Sequence, residues 1–200
     1  MKNKKQYILI IISIIIFTLL AILYKTNNIA IFDKTIYDFI IKYKNPYLTS
    51  FFKIITFLSS SYFIISTLII LLLILRKNHL GLKIFINILI CYLINQILKN
   101  IFKRPRPLNI NLIKEKGYSF PSGHSMISLS FYGFIIYLIN TKNINKYTKL
   151  LITIILSILI CLIGISRIYL GVHYASDVLA GFAISLAHLT FYTTYYEKIG

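Results

Sequence analysis

Three short clusters hold the side chains of this chain that can do chemistry. The first is Lys99-Asn-Ile-Phe-Lys-Arg-Pro-Arg-Pro107, the second Phe120-Pro-Ser-Gly-His-Ser125, the third Ser166-Arg-Ile-Tyr-Leu-Gly-Val-His-Tyr-Ala-Ser-Asp177. Lys99, Arg106 and Arg167 are cations able to surround a phosphate, and a guanidinium fork suits two phosphoryl oxygens at once. Ser122 and Gly123 open an apolar helical stretch, where free N–H groups point at an anion and Gly lets it approach closely. His173 and Asp177 are spaced i, i+4, which predicts a shared helical face. A carboxylate there accepts the imidazole N–H, fixes the tautomer and leaves the other ring nitrogen as a nucleophile. His124 is a second imidazole, available to protonate a leaving oxygen. The carboxylates are only Asp33, Asp38, Glu115, Asp177 and Glu197, too few and too scattered to cage a metal. The charge that Mg²⁺ usually neutralises in phosphoryl transfer then falls to the cations, and neither metal nor cofactor is expected.

The elements that must position these groups are apolar blocks. A bilayer core of ~30 Å takes about 20 apolar residues per helix, and six stretches qualify: Tyr7–Tyr24, Ile54–Leu75, Leu82–Leu98, Ser122–Ile139, Leu150–Ile165 and Tyr174–Tyr195. The first follows Lys2, Lys4 and Lys5 and lacks a small-x-small cleavage site, so it is read as a retained span. Between the first two spans, Ile29, Phe32, Ile36, Phe39, Ile40 and Tyr43 recur at helical spacing, with Asp33, Lys34 and Lys42 on other faces. That pattern predicts a short amphipathic helix on the membrane surface, with an ordered loop packed on the bundle as the equal alternative. The expected fold is an all-α bundle of six transmembrane helices plus this surface helix, as one domain over residues 1–200. The first two clusters share one loop, and two spans separate it from the third, so all three emerge on the same membrane face. Basic residues are denser in segments 1–6, 76–83, 140–149 and 196–200, which predicts a cytoplasmic amino terminus and clusters facing the extracytoplasmic side.

Composition agrees with a membrane protein. The chain is 58% hydrophobic, and its 22 Lys and Arg against five acids give a formal charge of +17. In a soluble domain that excess points to nucleic acid. Here the basic residues fall between apolar blocks, so membrane lipid is the expected partner, with no nucleic acid and no obligate protein partner. Cys91 and Cys161 lie inside apolar blocks and are expected to act as small hydrophobes.

The three clusters together resemble the signature of the type 2 phosphatidic acid phosphatase superfamily: Lys-x6-Arg-Pro, Pro-Ser-Gly-His and Ser-Arg-x5-His-x3-Asp. Lys99 with Arg106-Pro107, Pro121 to His124, and Ser166-Arg167 with His173 and Asp177 match every spacing. The motifs span residues 99–177, and the step from Lys99 selects Arg106 over Arg104. The resemblance implies a metal-independent phosphatase in which His173 forms a phosphohistidine, Asp177 orients it, and His124 serves as acid and then as base. Lys99, Arg106, Ser122, Gly123 and Arg167 would hold the phosphoryl oxygens. The superfamily also contains soluble acid phosphatases and vanadate-dependent haloperoxidases. The six-span layout, and a Gly-Val-His-Tyr-Ala-Ser-Asp run similar to that of small bacterial members, imply an enzyme of the bacterial cell membrane. The implied substrate is a lipid phosphate such as undecaprenyl pyrophosphate, phosphatidylglycerophosphate or phosphatidic acid.

Other residues have plainer expectations. Lys103 and Arg104 read as anchors for anionic headgroups, and His188, roughly 22 Å beyond His173 along a helix, as a buried polar contact. His79 reads as a loop residue on the opposite membrane face, and the tyrosines near 192–196 as an interfacial belt. A lipid transporter or flippase is the alternative class, but such proteins carry charges within their spans, and here the ionisable groups sit at the span ends. A non-catalytic lipid-phosphate-binding protein would not need both histidines.

Overall fold

A computed structural model describes residues 2–75, 79–107 and 111–199. Arg76 and Lys77, used above for topology, lie outside these residues. The helices are α1 (Lys2–Lys25), α2 (Ala30–Ile41), α3 (Pro46–Phe57), α4 (Ser61–Ile74), α5 (Leu80–Phe102), α6 (Gly123–Thr141), α7 (Lys146–Tyr169) and α8 (Ala175–Ile199), and no strand occurs among the described residues. Five segments are long and apolar enough to cross a membrane: Lys4–Lys25, Pro46–Ile74, Leu80–Phe102, Lys146–Tyr169 and Ala175–Tyr195. Exposed Ile11, Ile15, Leu19, Ile154 and Ile158 cover outer surfaces that suit lipid tails better than water. The chain is an all-helical membrane protein.

The second segment starts earlier than the expected Ile54. Asn45 caps α3, its side chain accepting from Leu48 N at 2.8 Å, and Pro46 takes the first helical turn, where a missing N–H costs nothing. The helix breaks at Leu58–Ser60, where Ser60 caps α4. Polar residues before Ile54 hid this start, although the Asn-Pro pair is a helix-start signal.

α8 and α6 form the centre. α8 packs on α1 and α6, α6 on α5 and α7, α3 on α7, and α4 on α5. Ile84, Ile88, Phe131, Phe134, Ile160 and Ile163 fill the core between them. α6 is rich in buried serine: Ser125, Ser128 and Ser130 are all fully buried. Its polar atoms find partners. Ser130 and Asn87 exchange hydrogen bonds at 3.0 and 3.1 Å, and His188 Nε2 lies 3.0 Å from Asn87 Oδ1. His188 is thus the buried polar contact expected, and both cysteines are free.

α2 lies against α7 and α8, with a different face inward from the one expected. Ile29 and Asp33 are buried, Ile36 and Ile40 pack on the bundle, and Phe32, Phe39 and Tyr43 are exposed. Spacings of four, three and four place Ile29, Asp33, Ile36 and Ile40 on one helical stripe. The acid belongs to the buried face rather than to another one.

Candidate active site

The three clusters meet at one end of the bundle, each held by a local feature that its own sequence dictates. Lys99 lies in the last turn of α5. Lys103 ends that helix in a left-handed conformation, φ 49°, its N–H bonded to the Lys99 carbonyl. Pro105 and Pro107 have no N–H to continue a helix, so Arg104 to Pro107 leave the helix axis and cross the bundle end. The chain returns at Ser119, whose N–H donates to the Arg104 carbonyl at 2.8 Å. Ser122 caps α6, and its own N–H donates to the Asp177 carbonyl at 3.0 Å, docking the start of α6 onto α8. Gly181 permits that approach: a Cβ there would lie 2.9 Å from the Ser122 carbonyl oxygen. After α7, Gly171 turns the chain at φ 69°, and the Val172 and His173 N–H groups both donate to the Arg167 carbonyl.

His173 therefore sits in a turn, not on a helix. α8 starts at Ala175, and Asp177 in its first turn accepts the Tyr174 N–H at 2.9 Å, the reach-back half of a capping box. His173 Nδ1 is 3.5 Å from Asp177 Oδ2, too long for a good direct hydrogen bond. Ser119 fills the gap. Its hydroxyl donates to Asp177 Oδ2 at 2.5 Å and lies 3.2 Å from His173 Nδ1. With its one proton given to the carboxylate, Ser119 Oγ can only accept from Nδ1–H, which assigns the lone pair to Nε2. Arg106 Nη1 lies 3.1 Å from Nε2 and meets it as a donor. Burial holds the His173 imidazole well below the usual histidine range, and Arg167, Arg106 and Lys99 push it further the same way. The ring is neutral at neutral pH, its Nε2 lone pair accepting from Arg106.

The cations differ in how their donors are used. Arg106 gives Nε to the Gly117 carbonyl, Nη2 to Lys116 and Nη1 to Val172. Arg167 is fully buried, donating from Nη1 to Thr56 Oγ1 at 2.6 Å and from Nη2 to Glu115 Oε1 at 2.5 Å. Its Nε has no partner. A buried guanidinium N–H left unpaired is costly, and an anion at this point would satisfy it. His124 lies within electrostatic reach of Arg167, His173, Lys99 and Arg106, so these five residues share one site. Gly123 faces Asn95, with room for a Cβ only 3.1 Å from Asn95 Oδ1.

One expectation fails here. Arg104 is not a headgroup anchor. It is buried, donating from Nη1 to Asp177 Oδ1 at 2.6 Å and Ser176 Oγ at 2.8 Å, and from Nη2 to Asp33 Oδ2 at 2.7 Å. Two carboxylates besides Asp177 also belong to the site, since Asp33 and Glu115 each pair with an arginine. Ser119 belongs to the site but to none of the three motifs. It precedes the Pro-Ser-Gly-His cluster by two residues, the one sequence signal that could have drawn attention to it. Glu115, in a loop without periodicity, offered none.

Residues 80–200 match the PAP2 superfamily. The chain is 33% identical over 188 residues to phosphatidylglycerophosphatase B of Bacillus subtilis strain 168, covering 92% of each. It is 32% identical over 98 residues to dolichyldiphosphatase of Saccharomyces cerevisiae, covering 45% of this chain and 41% of that one. Its structure matches the crystal structure of a transmembrane PAP2 type phosphatidylglycerolphosphate phosphatase from Bacillus subtilis with a TM-score of 0.87 at 32% identity, covering 96% of this chain and 97% of that one. Against Aquifex aeolicus LpxE the TM-score is 0.64 at 27% identity, covering 80% and 93%. With its signature motifs gathered at one end of an all-helical membrane bundle, this chain belongs to the PAP2 superfamily and is one of its lipid phosphatases.

Proposed function

We propose that this phosphatase removes the phosphomonoester or terminal phosphate of a lipid headgroup at the outer face of the bacterial cell membrane, with His173 as nucleophile. The observation that carries this assignment of roles is the unpartnered, buried Nε of Arg167, in a cluster where Lys99, Arg106 and His124 surround His173. The phosphoryl group binds among Lys99, Arg106, Arg167, Ser122 and the Gly123 backbone. Attack requires the Arg106 hydrogen bond to pass from Nε2 to a phosphoryl oxygen. The Nε2 lone pair then forms the P–N bond as the P–O bond to the leaving group breaks, and His124 donates the proton that the leaving oxygen takes up. Water next attacks phosphorus, gives its proton to His124 and breaks the P–N bond, releasing inorganic phosphate. Asp177, through Ser119, stabilises the positive charge that the ring acquires.

The chain acts as one unit over residues 1–200. The proposed topology has six spans: α1, α3 with α4, α5, α6, α7 and α8. α2 rests on the membrane surface, its exposed Phe32 and Phe39 toward the lipid. An apolar cleft of about 430 Å³ between α4 and α5, lined by Ser59, Ile64, Leu68, Phe85, Ile88 and Tyr92, suits an acyl or prenyl chain. Its Ser59 end is three residues from Thr56, the partner of Arg167. The named relatives act on a phosphomonoester and on a diphosphate, as their names state, and both chemistries fit the same phosphoryl site.

The test is phosphate release by purified protein in EDTA from phosphatidylglycerophosphate, phosphatidic acid and undecaprenyl pyrophosphate. His173→Ala should abolish release while leaving the melting temperature near that of the parent. Full activity in that variant, or a strict requirement for Mg²⁺, would refute the mechanism.

A further inference from the structure

We propose that Arg104 and Asp33 are positioning residues that lock Asp177 in place behind His173, so that the seating of α2 on the bundle sets the reactivity of the nucleophile. The proposal rests on His173 being the nucleophile, and its starting point is the way the Arg104 fork is used. Nη1 binds Asp177 Oδ1 and Ser176 Oγ, and Nη2 binds Asp33 Oδ2. Asp33 closes the ring from α2, accepting from Ser176 N at 2.8 Å and from Ser176 Oγ at 2.8 Å. The guanidinium lies against the rings of Tyr24 and Tyr174, its carbon 4.7 and 3.9 Å from their centres. Burial works against its charge, yet Asp177 and Asp33 raise its pKa above the ordinary guanidinium value.

Two consequences follow for Asp177. With Oδ1 held by Arg104, Oδ2 alone serves Ser119 and the Tyr174 N–H, and the carboxylate cannot rotate away from the imidazole. The second consequence is electrostatic. One arginine shared by two aspartates leaves the cluster with a net negative charge. Asp177 paired alone with Arg104 would be neutralised and would stabilise a charged imidazole less. Asp33 is therefore more than a structural tie. A cavity of about 370 Å³ opens between α1, α2 and the α7–α8 turn, bordered by Tyr24, Asp33, Tyr37, Arg104, His173 and Tyr174. On that side the Asp33 carboxylate ties α2 to the site.

The test compares Asp33→Asn, Asp33→Glu and Ser176→Ala with the parent protein in detergent micelles. It reads kcat, KM, melting temperature and the ¹⁵N titration of the His173 side chain. The groups facing that ring are Lys99 on α5, Arg106 and Arg104 in the loop, His124 on α6, Arg167 on α7 and Asp177 on α8, and all are retained in every variant. Asp33→Asn should lower kcat about 10- to 100-fold, the worth of a hydrogen bond to a charged group, with KM within about twofold and His173 titrating lower. Asp33→Glu should recover part of kcat. Ser176→Ala leaves both charges in place and should cost kcat about 3- to 10-fold, which keeps the proposal testable if Asp33→Asn does not fold. Parent-like kcat and an unmoved His173 titration in a folded Asp33→Asn or Ser176→Ala protein would overturn the proposal. A parent protein inactive on every lipid phosphate, with His173 titration still shifted by Asp33→Asn, would instead sink the phosphatase reading and leave the positioning network standing.

Discussion

Replacing Ser119 with alanine isolates the step between acid and imidazole. The hydroxyl donates to Asp177 Oδ2 and accepts from His173 Nδ1 at 3.2 Å. A hydrogen bond to a charged group contributes about 1.5–3 kcal/mol. Part of that loss is recoverable, because Nδ1 and Oδ2 already stand 3.5 Å apart and an approach of well under 1 Å would make a direct bond of ordinary length. The net cost is about 1–2 kcal/mol, or roughly 5- to 30-fold in kcat/KM. That is far smaller than the loss expected for His173→Ala. Phosphate release from mixed micelles at saturating and limiting substrate measures it, with thermal unfolding as the control for fold. Unchanged kcat/KM in Ser119→Ala would refute the relay. So would a loss as large as that of His173→Ala in a protein that melts normally, because the direct histidine–aspartate contact should then have formed.

Four further outcomes follow from the same geometry. His173 is held neutral by burial first and by Arg167, Arg106 and Lys99 next, so the acid limb it contributes to the pH–rate profile lies below the ordinary value of about 6.5. Arg106→Met removes one of those cations and should move the limb upward, as steady-state profiles at several pH values would reveal. The same depressed pKa means that the unfolded chain binds a proton the native state does not. Stability from this group is therefore present above about pH 6.5 and lost progressively as pH falls below it, which a comparison of melting temperatures of the parent and His173→Gln across pH would detect. Glu115 occupies Arg167 Nη2, so Glu115→Gln should tighten inhibition by vanadate or phosphate by about 3- to 10-fold, read as an inhibition constant. Gly181→Ala places a Cβ 2.9 Å from the backbone oxygen of Ser122. The resulting shift of α6 from α8 should cost about 1–3 kcal/mol of stability, measurable by thermal melts, together with a fall in kcat.

Much of this protein was legible in one dimension because the bilayer and the phosphate each impose a rigid rule. A membrane span must be a long apolar run, so the apolar bodies of α1, α5, α7 and α8 appear in the residue pattern, with polar ends of about a turn left out. Phosphoryl transfer needs cations, a nucleophile and a proton donor, so Lys99, Arg106, His124, Arg167, His173 and Asp177 stand out in sequence as the proposed site, by residue type and by resemblance to the family motifs. Tertiary structure alone decided how those groups are supported. Arg104 looks like any basic residue at a helix end until Asp33, 71 positions away in sequence, meets it. Ser119 is an ordinary loop serine until the return of the chain places it between His173 and Asp177. Residues that touch substrate are constrained in type and leave a pattern. Residues that hold them need only the right polar atom at the right point in space, and only the folded chain brings that point into being.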